Sequence, residues 1–389
     1  MLNQDSAALL AALERAGARV VLVSSGGGSQ AIPRLLTTPG ASTVVVEGLV
    51  PYAREAVDRL LGGPQEAYCA PRTARRLAMA AWQRARDLGA PPDRAVGVAV
   101  TAALRSLAPK RGEHRVIAAV QTLAATRTVE VVLEKGARTR AEEEEIAASL
   151  ALDALAAECG GAGGGGVAPR PGEIVRRDRV EAPPEWRLLA AGKSRVACGS
   201  AACADAPKPG SLIFPGSFDP LHDGHRLMAR IAEEVAERPV EWELSVTNVD
   251  KPALDYVEIR DRAAQFAADG AAGEAQPLWL TRAATFLEKL AVFPGATFVM
   301  GADTYVRLGD PRYYGGSEEA AREAVRTIAE KTRGLIVFGR SRDGVFVDPT
   351  QLDVPAALRD VTYFVSQREF RVDLSSTELR RRRLAQEEA

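Results

Sequence analysis

Histidine and cysteine are scarce in this 389-residue chain, with three copies of the first and four of the second. Cys69, Cys159, Cys198 and Cys203 form no CxxC pair. So few thiols in so long a chain give no disulfide framework, and neither a secreted scaffold nor a structural zinc site is expected. Long apolar runs are missing too: none reaches the about 18 residues that a membrane-crossing helix needs. The opening residues Met1–Ser6 lack the basic and apolar regions of a signal peptide, so a cytoplasmic location is expected. There is no excess charge of either sign, since 50 Lys and Arg face 51 Asp and Glu. That balance excludes a chain built mainly to coat nucleic acid or an anionic membrane, and neither is expected as a partner. Phenylalanine is absent from the first 210 residues, and all ten copies lie between Phe214 and Phe370.

What is there is an ordinary globular composition, 46% hydrophobic and 26% charged, in a chain long enough for two or three domains. The phenylalanine boundary coincides with a run of glycines, Gly160–Gly166, followed by Pro169, Pro171, Pro183 and Pro184. Glycine runs bury no apolar surface and read as linkers. The expected division is a first domain at 1–158, a Gly/Pro-rich connector at 159–210 and a second domain at 211–389. Within the connector, Trp186–Ala190 carries enough apolar surface to dock on either domain. The first domain alternates helix and strand, with strands expected at 19–23, 42–47, 95–100, 115–122 and 128–133. Its last helix should start at Thr139, because Glu142 three residues later completes a capping box. The second domain repeats the alternation, with strands at 211–214, 241–246, 296–300, 334–338 and 361–365. That pattern predicts an α/β fold with a parallel, Rossmann-like sheet and a ligand beyond the carboxyl ends of its strands.

Two of the three histidines sit three positions apart in Gly216-Ser217-Phe218-Asp219-Pro220-Leu221-His222-Asp223-Gly224-His225. This stretch joins the first strand of the second domain to its first long helix. Gly216 allows close backbone approach, Pro220 stiffens the turn, and Gly224 keeps a side chain from between the imidazoles. The helix start directs N–H groups and a positive dipole end at the loop, which suits an anion. Two imidazoles there can donate to phosphate oxygens and stabilise charge that develops during transfer. The bland alternative is a tight turn with two exposed histidines.

The ten-residue loop resembles the HxGH signature of the nucleotidylyltransferase superfamily. Leu374-Ser375-Ser376-Thr377-Glu378-Leu379-Arg380 is similar to that superfamily's ISSTxxR element. Ser375 or Ser376 would cap a helix and, with Thr377, face a triphosphate, while Arg380 projects one turn later as a positive fork. Arg381–Arg383 read as a solvated basic helix end. Inner stretches resemble nicotinamide mononucleotide adenylyltransferases. Thr247-Asn248-Val249-Asp250-Lys251-Pro252 is similar to the polar turn with a lysine after the second strand, and Thr281–Phe286, with Thr285, to the segment lining the nicotinamide pocket. Gly301-Ala302-Asp303 resembles the Gly-x-Asp element near the adenosine, and Gly339-Arg340 the end of a later strand. Asp303 and Lys251 also have a plainer reading as a strand-end ion pair.

The resemblance implies transfer of AMP from ATP to the 5′-phosphate of nicotinamide or nicotinate mononucleotide, with pyrophosphate leaving. His222 would bind phosphate and His225 would meet the developing charge at the α-phosphate. Lys251, Ser376 and Arg380 would steady the other phosphates, and Mg²⁺ would arrive with ATP, since the sequence shows no carboxylate cluster for a resident ion. Other acceptors, of phosphopantetheine or cytidylyl type, and a non-catalytic nucleotide sensor remain open.

Residues 17–63 and the order of elements to about 158 are similar to the CinA C-terminal domain, the nicotinamide mononucleotide amidohydrolase family. The chemistry departs from that family. Its Glu-Ser-Cys-Thr-Gly-Gly stands here as Ser24-Ser25-Gly26-Gly27-Gly28-Ser29, and its Tyr-Ser-Asn-x-x-Lys as Tyr52-Ala53-Arg54-Glu55-Ala56-Val57. Ser25 is thus a vestigial nucleophile whose base is gone. The expectation is a retained scaffold that binds a nucleotide or forms a homo-oligomer interface. His114 reads as a surface or packing residue and Cys69 as structural.

Overall fold

The computed structural model describes residues 2–108, 110–160, 170–249, 251–267, 275–342, 345–352, 354–370 and 379–380. They group into two compact units, Met1–Lys193 with Asp250–Glu258, and Ser194–Val249 with Ile259–Ala389.

The first unit opens with α1 (Leu2–Arg15), β1 (Arg19–Ser25), α2 (Ala31–Leu36), α3 (Ala41–Val44) and β2 (Val45–Leu49). Next come α4 (Arg54–Leu61), α5 (Pro71–Asp87), β3 (Ala95–Ala103), β4 (His114–Gln121) and β5 (Ala125–Leu133). Helix α6 (Arg140–Glu158), β6 (Ile174–Glu181) and α7 (Pro184–Ala191) follow. The strand expected at 42–47 begins later, because Ala41–Val44 first make a helical turn. The capping box at α6 forms as expected, with the Glu142 N–H donating to Thr139 Oγ1 and the Thr139 N–H to Glu142.

The sheet order is β2-β1-β3-β4-β5-β6. Strand β1 pairs parallel with β2 and β3, and the remaining pairs are antiparallel. The short turns between β3, β4 and β5 leave no room for a crossover helix, which is why this half of the sheet runs as a meander. Residues 174–181, expected in the connector, form the edge strand, paired with β5 from Ala125↔Glu181 to Val132↔Ile174. Helix α7 also belongs to this unit, with Leu189 buried and Trp186 stacked 6.4 Å from Tyr256. The segment carrying Tyr256 is held by further bonds. The Tyr256 N–H donates to Thr126 Oγ1 at 3.0 Å, and its hydroxyl to the Leu123 carbonyl at 2.9 Å. Arg75 Nε lies 3.2 Å from both Asp255 carboxylate oxygens.

Alternate residues of β1 supply two cores, as a strand covered on both faces must. Val20 and Leu22 pack with α1, α2 and α6, while Val21 and Val23 pack with α4 and α5. The lack of phenylalanine has a geometric counterpart here. Helix α5 lies so close to β3 that a Cβ on Gly97 would meet the Ala78 carbonyl oxygen at 2.0 Å and the Trp82 nitrogen at 2.3 Å. Its inward face is accordingly alanine-rich: Ala74, Ala78, Ala81 and Ala85 are buried.

The second unit contains β7 (Val196–Cys198), β8 (Leu212–Pro215), α8 (Asp223–Ala236) and β9 (Val240–Ser245). Helix α9 (Tyr256–Ala267) begins in the 250–258 segment and continues into this unit. Then come β10 (Leu278–Thr281), α10 (Phe286–Val292), β11 (Thr297–Gly301), α11 (Ala302–Arg307) and α12 (Glu318–Lys331). The described chain closes with β12 (Gly334–Phe338), the hairpin β13 (Arg340–Arg342) and β14 (Val345–Val347), α13 (Ala356–Arg359) and β15 (Thr362–Val365). The sheet order is β15-β12-β11-β8-β9-β10-β7. All neighbours are parallel except β7, which pairs antiparallel with β10. The expected parallel sheet is therefore present, with an antiparallel edge strand drawn from the expected connector. From β8 the chain first builds outward through β9 and β10, then returns to β11 on the other side. The carboxyl end of β8 is thus the topological switch point, where such sheets open a crevice. Among the described residues no helix is long and apolar enough to cross a membrane.

Gly97→Ala is expected to destabilise the first unit by about 3 kcal/mol, the upper range for overpacking, because backbone must move. Urea unfolding checks this; an unchanged midpoint would contradict the close packing of α5 on β3.

Candidate phosphate site at the end of the central strand

The loop leaving β8 is shaped by a phenylalanine ring. Phe218 has φ 44° and is 1% exposed. Its ring lies over Gly216, where an added Cβ would meet ring carbons at 2.4 and 2.5 Å. Glycine is therefore obligatory at 216. The Phe218 ring makes edge contacts with Phe214, Trp242, Phe266 and His225, at centroid distances of 5.7, 5.2, 5.3 and 5.4 Å. Buried aromatic edges of this kind fix ring position as well as burying area. A cis peptide joins Asp219 to Pro220. The Gly216 N–H donates to the Glu243 carbonyl at 2.9 Å, tying the loop to the neighbouring strand.

Helix α9 holds the outer side of the loop. Gln265 Nε2 donates to the Phe218 carbonyl at 3.1 Å, and Gln265 Oε1 accepts from the Leu221 N–H at 2.8 Å. Arg262 Nη1 donates to the Ser217 carbonyl at 3.1 Å, and its guanidinium lies 3.6 Å from Asp219 Oδ2. Neither residue carries a motif. Their only sequence signal is the spacing of three, which puts both on one face of a helix.

His222 stands at the N-cap of α8 and His225 in its first turn. The His222 N–H donates to Nδ1 of His225 at 3.3 Å. A neutral imidazole that accepts at Nδ1 carries its proton on Nε2, so His225 is set to donate from that atom. The two rings stack at 3.8 Å with 27° between their planes. Arg380, 161 positions beyond Asp219, donates from Nη1 to the Asp219 carbonyl and lies 3.8 Å from its carboxylate. Gly216, Ser217, Phe218, His222, His225 and Arg380 are thus gathered in one place. Ser375, Ser376 and Thr377 lie outside the described residues.

The other expected site residues are distributed as follows. Gly301 ends β11, next to β8 in the sheet, and a Cβ there would meet nothing within 4 Å. Asp303 follows in α11, and its carbonyl accepts from Arg307 Nε at 3.0 Å. Asn248 is exposed beyond the end of β9. Lys251 is exposed too, in the 250–258 segment that packs with the first unit. The Thr285 hydroxyl is engaged in a capping box with Glu288 at the start of α10.

Behind Thr285 lies a buried ion pair that the sequence does not announce. Lys289 Nζ lies 2.9 and 2.7 Å from the two oxygens of Glu243 and 2.9 Å from the Ala283 carbonyl. Thr281 Oγ1 also donates to Glu243, and Ser245 Oγ donates to the Ala283 carbonyl at 2.9 Å. Glu243 is 0% and Lys289 5% exposed, so the pair is satisfied entirely by protein. It fixes the path of residues 281–285 beside the end of β9.

In the first unit, Ser25 is buried at the end of β1, opposite Thr101. Ser24 Oγ donates to the Gly27 carbonyl at 2.9 Å. His114 is a buried residue, not a surface one: its Nδ1 lies 2.7 Å from Oε1 of the fully buried Glu143. Burial pushes the Cys69 thiol up to about 11, so it is protonated at neutral pH and suits the structural role expected of it.

Residues 213–382 match the cytidylyltransferase-like family, and the chain therefore carries a nucleotidylyltransferase-type domain there. No curated protein matches the sequence significantly. Solved structures similar to this chain include the competence/damage inducible protein CihA from Agrobacterium tumefaciens. It shares 22% identity over 40% of this chain and 94% of that one, with a TM-score of 0.34. A CinA superfamily protein from Enterobacter cloacae shares 19% over 41% and 92%, with a TM-score of 0.36. One from Escherichia coli shares 18% over 40% and 88%, with a TM-score of 0.34.

Gln265→Ala removes the partners of a loop N–H and a loop carbonyl at once. A loss of about 1–3 kcal/mol in unfolding free energy is expected. Chemical denaturation followed through the second unit's tryptophans checks it, and an unaltered curve would refute Gln265 as the loop's support.

Proposed function

We propose that the second unit is an adenylyltransferase that moves AMP from ATP to the 5′-phosphate of nicotinamide or nicotinate mononucleotide. The observation that carries this reading is the convergence of His222, His225 and Arg380 on one rigid loop at the switch point of a parallel sheet. Three hydrogen-bond donors meet there from two distant stretches of chain, which is what a triphosphate needs. A 5′-phosphate oxygen of the acceptor attacks the α-phosphorus in line. The bond to pyrophosphate breaks as the new one forms, and the electron pair leaves with pyrophosphate. His225 donates from Nε2 to the α-phosphate oxygen on which charge builds. His222 and Arg380 hold the phosphates, joined by Ser375, Ser376 and Thr377 through the sequence resemblance. Gly301 and Asp303 serve the adenosine, and Asn248 and Thr285 the acceptor.

Among the described residues no three His, Cys, Asp or Glu side chains group as a metal cage. Magnesium is assigned to the ATP phosphates through the sequence resemblance and enters as part of the substrate. The match to the cytidylyltransferase-like family favours one second reading, a CTP-dependent transfer at the same loop. The first unit serves this reading as a scaffold with a vestigial Ser25, joined in one chain to the transferase.

Purified protein with magnesium, ATP and nicotinamide mononucleotide should release pyrophosphate and form a dinucleotide. His225→Ala should lower turnover by on the order of 10²–10³-fold with the fold intact, as loss of a charge-stabilising donor does. Turnover with CTP and not ATP would select the second reading. Folded protein inactive with every nucleotide and acceptor tried would sink both.

A further inference from the structure

Helix α9 begins in the first unit and continues in the second, and its sequence contains no glycine or proline at which to kink. Its first turn is clamped within the first unit. Asp255 Oδ1 accepts from the Val257 and Glu258 N–H groups at 2.9 and 3.0 Å, so this carboxylate caps the helix as well as pairing with Arg75. Glu258 lies 2.6 Å from Arg72 Nε and 3.7 Å from Arg76 Nη2. The Ala253 N–H donates to Gln83 Oε1 at 3.2 Å. Arg72, Arg75, Arg76 and Gln83 all stand on α5, the helix that packs closely on Gly97 of β3. The start of α9 is thereby tied to the interior of the first unit, with Asp255, Tyr256 and Glu258 all buried.

The far end of the same helix carries the two side chains that hold the phosphate loop. Arg262 and Gln265 follow Asp255 by about two and three turns and bond the Ser217 carbonyl, the Phe218 carbonyl and the Leu221 N–H. Within the second unit Ile259, Ala263 and Phe266 are buried, at spacings of four and three that mark one helix face. Apolar packing is non-directional, so it decides which face turns inward and only weakly resists sliding along the axis. The loop contacts are less forgiving. About an ångström of slip would carry bonds of 3.1 and 2.8 Å out of range. The directional bonds at Asp255, Tyr256 and Glu258 supply the axial position that the loop contacts require.

We propose that Asp255 and Glu258, through their ion pairs with Arg75 and Arg72, are positioning residues for the phosphate loop. The first unit sets where α9 lies along its own axis, and α9 in turn presents Arg262 and Gln265 to the loop. The inference rests on the reading of that loop as the transferase site. It gives the first unit a task in the transfer that needs no chemistry at Ser25: loosening the clamp loosens the loop that His222 and His225 stand on.

Hydrogen–deuterium exchange of the full chain tests this, read in peptides spanning residues 216–226, with peptides from β3 and β11 as references for the two interiors. The wild-type loop should exchange slowly. Arg75→Met combined with Asp255→Asn removes both charges, leaves neither buried alone and keeps an oxygen to cap α9. It should speed exchange of 216–226 about tenfold, the size expected when a hydrogen bond is lost, while β3 and β11 stay slow. Glu258→Ala, whose arginine partners are partly exposed and can turn to solvent, should act in the same sense. It decides the matter if the double variant fails to fold. Loop exchange equal to wild type in a folded variant, or a rise shared equally by β3 and β11, overturns the proposal. Exchange needs no turnover, so an inactive wild type counts against the transferase reading while the loop still judges this one.

Discussion

The second unit depends on one steric fact, the seating of the Phe218 ring directly over Gly216. With φ in the left-handed region, Phe218 turns its ring down from the loop into an aromatic cluster with Phe214, Trp242 and Phe266. The polar backbone of the loop is thereby left outward, where Arg262 and Gln265 hold its carbonyls and Arg380 meets Asp219. His225 rests its ring edge against the same phenylalanine. One buried side chain thus fixes both the backbone and the imidazole that the site needs, and a loop pinned on two sides does not have to be ordered when a nucleotide binds.

Positive charge follows the same economy. A chain with net charge −1 has no surplus of cations to draw an anion by a general field. The proposed site relies instead on local placement at a sheet's switch point, with helix α8 starting there and a guanidinium delivered from far along the sequence. Lys289 illustrates the opposite use of charge. Enclosed with Glu243 and Thr281 and only 5% exposed, it shapes the neighbouring backbone.

Short-range features were the ones written plainly in the sequence. The Thr139–Glu142 cap, the β8 loop with its histidines and the strand at 334–338 depend on residues close together, and the pattern names them directly. Pairings made across long distances were not legible. Residues 174–181 have too few apolar positions to read as a strand, because an edge strand with charged faces needs only a partner's backbone. The glutamates of α6 look like a solvated acidic turn, yet Glu143 is fully enclosed and Glu144 sits in a loop 115 positions away. His114 was ambiguous for the same reason, since its partner Glu143 is 29 positions distant. Glu243 was not legible either, since β9 carries a glutamate at both 241 and 243 and only the packing separates the fully buried one.

The membership of residues 250–258 in the first unit has a further consequence, for heredity as much as for folding. A break between residues 160 and 170 would fall where the sequence looks most separable, but it would not release two self-sufficient proteins. The amino-terminal fragment would lose its edge strand β6 and would keep Arg75 and Thr126 while Asp255 and Tyr256 left with the other piece. Buried charges deprived of partners are strongly destabilising, so each piece would have to find the other again to recover its interior. Fusion of the two parts has become hard to reverse: a gene fission at the glycine stretch would produce an obligate complex rather than two independent products.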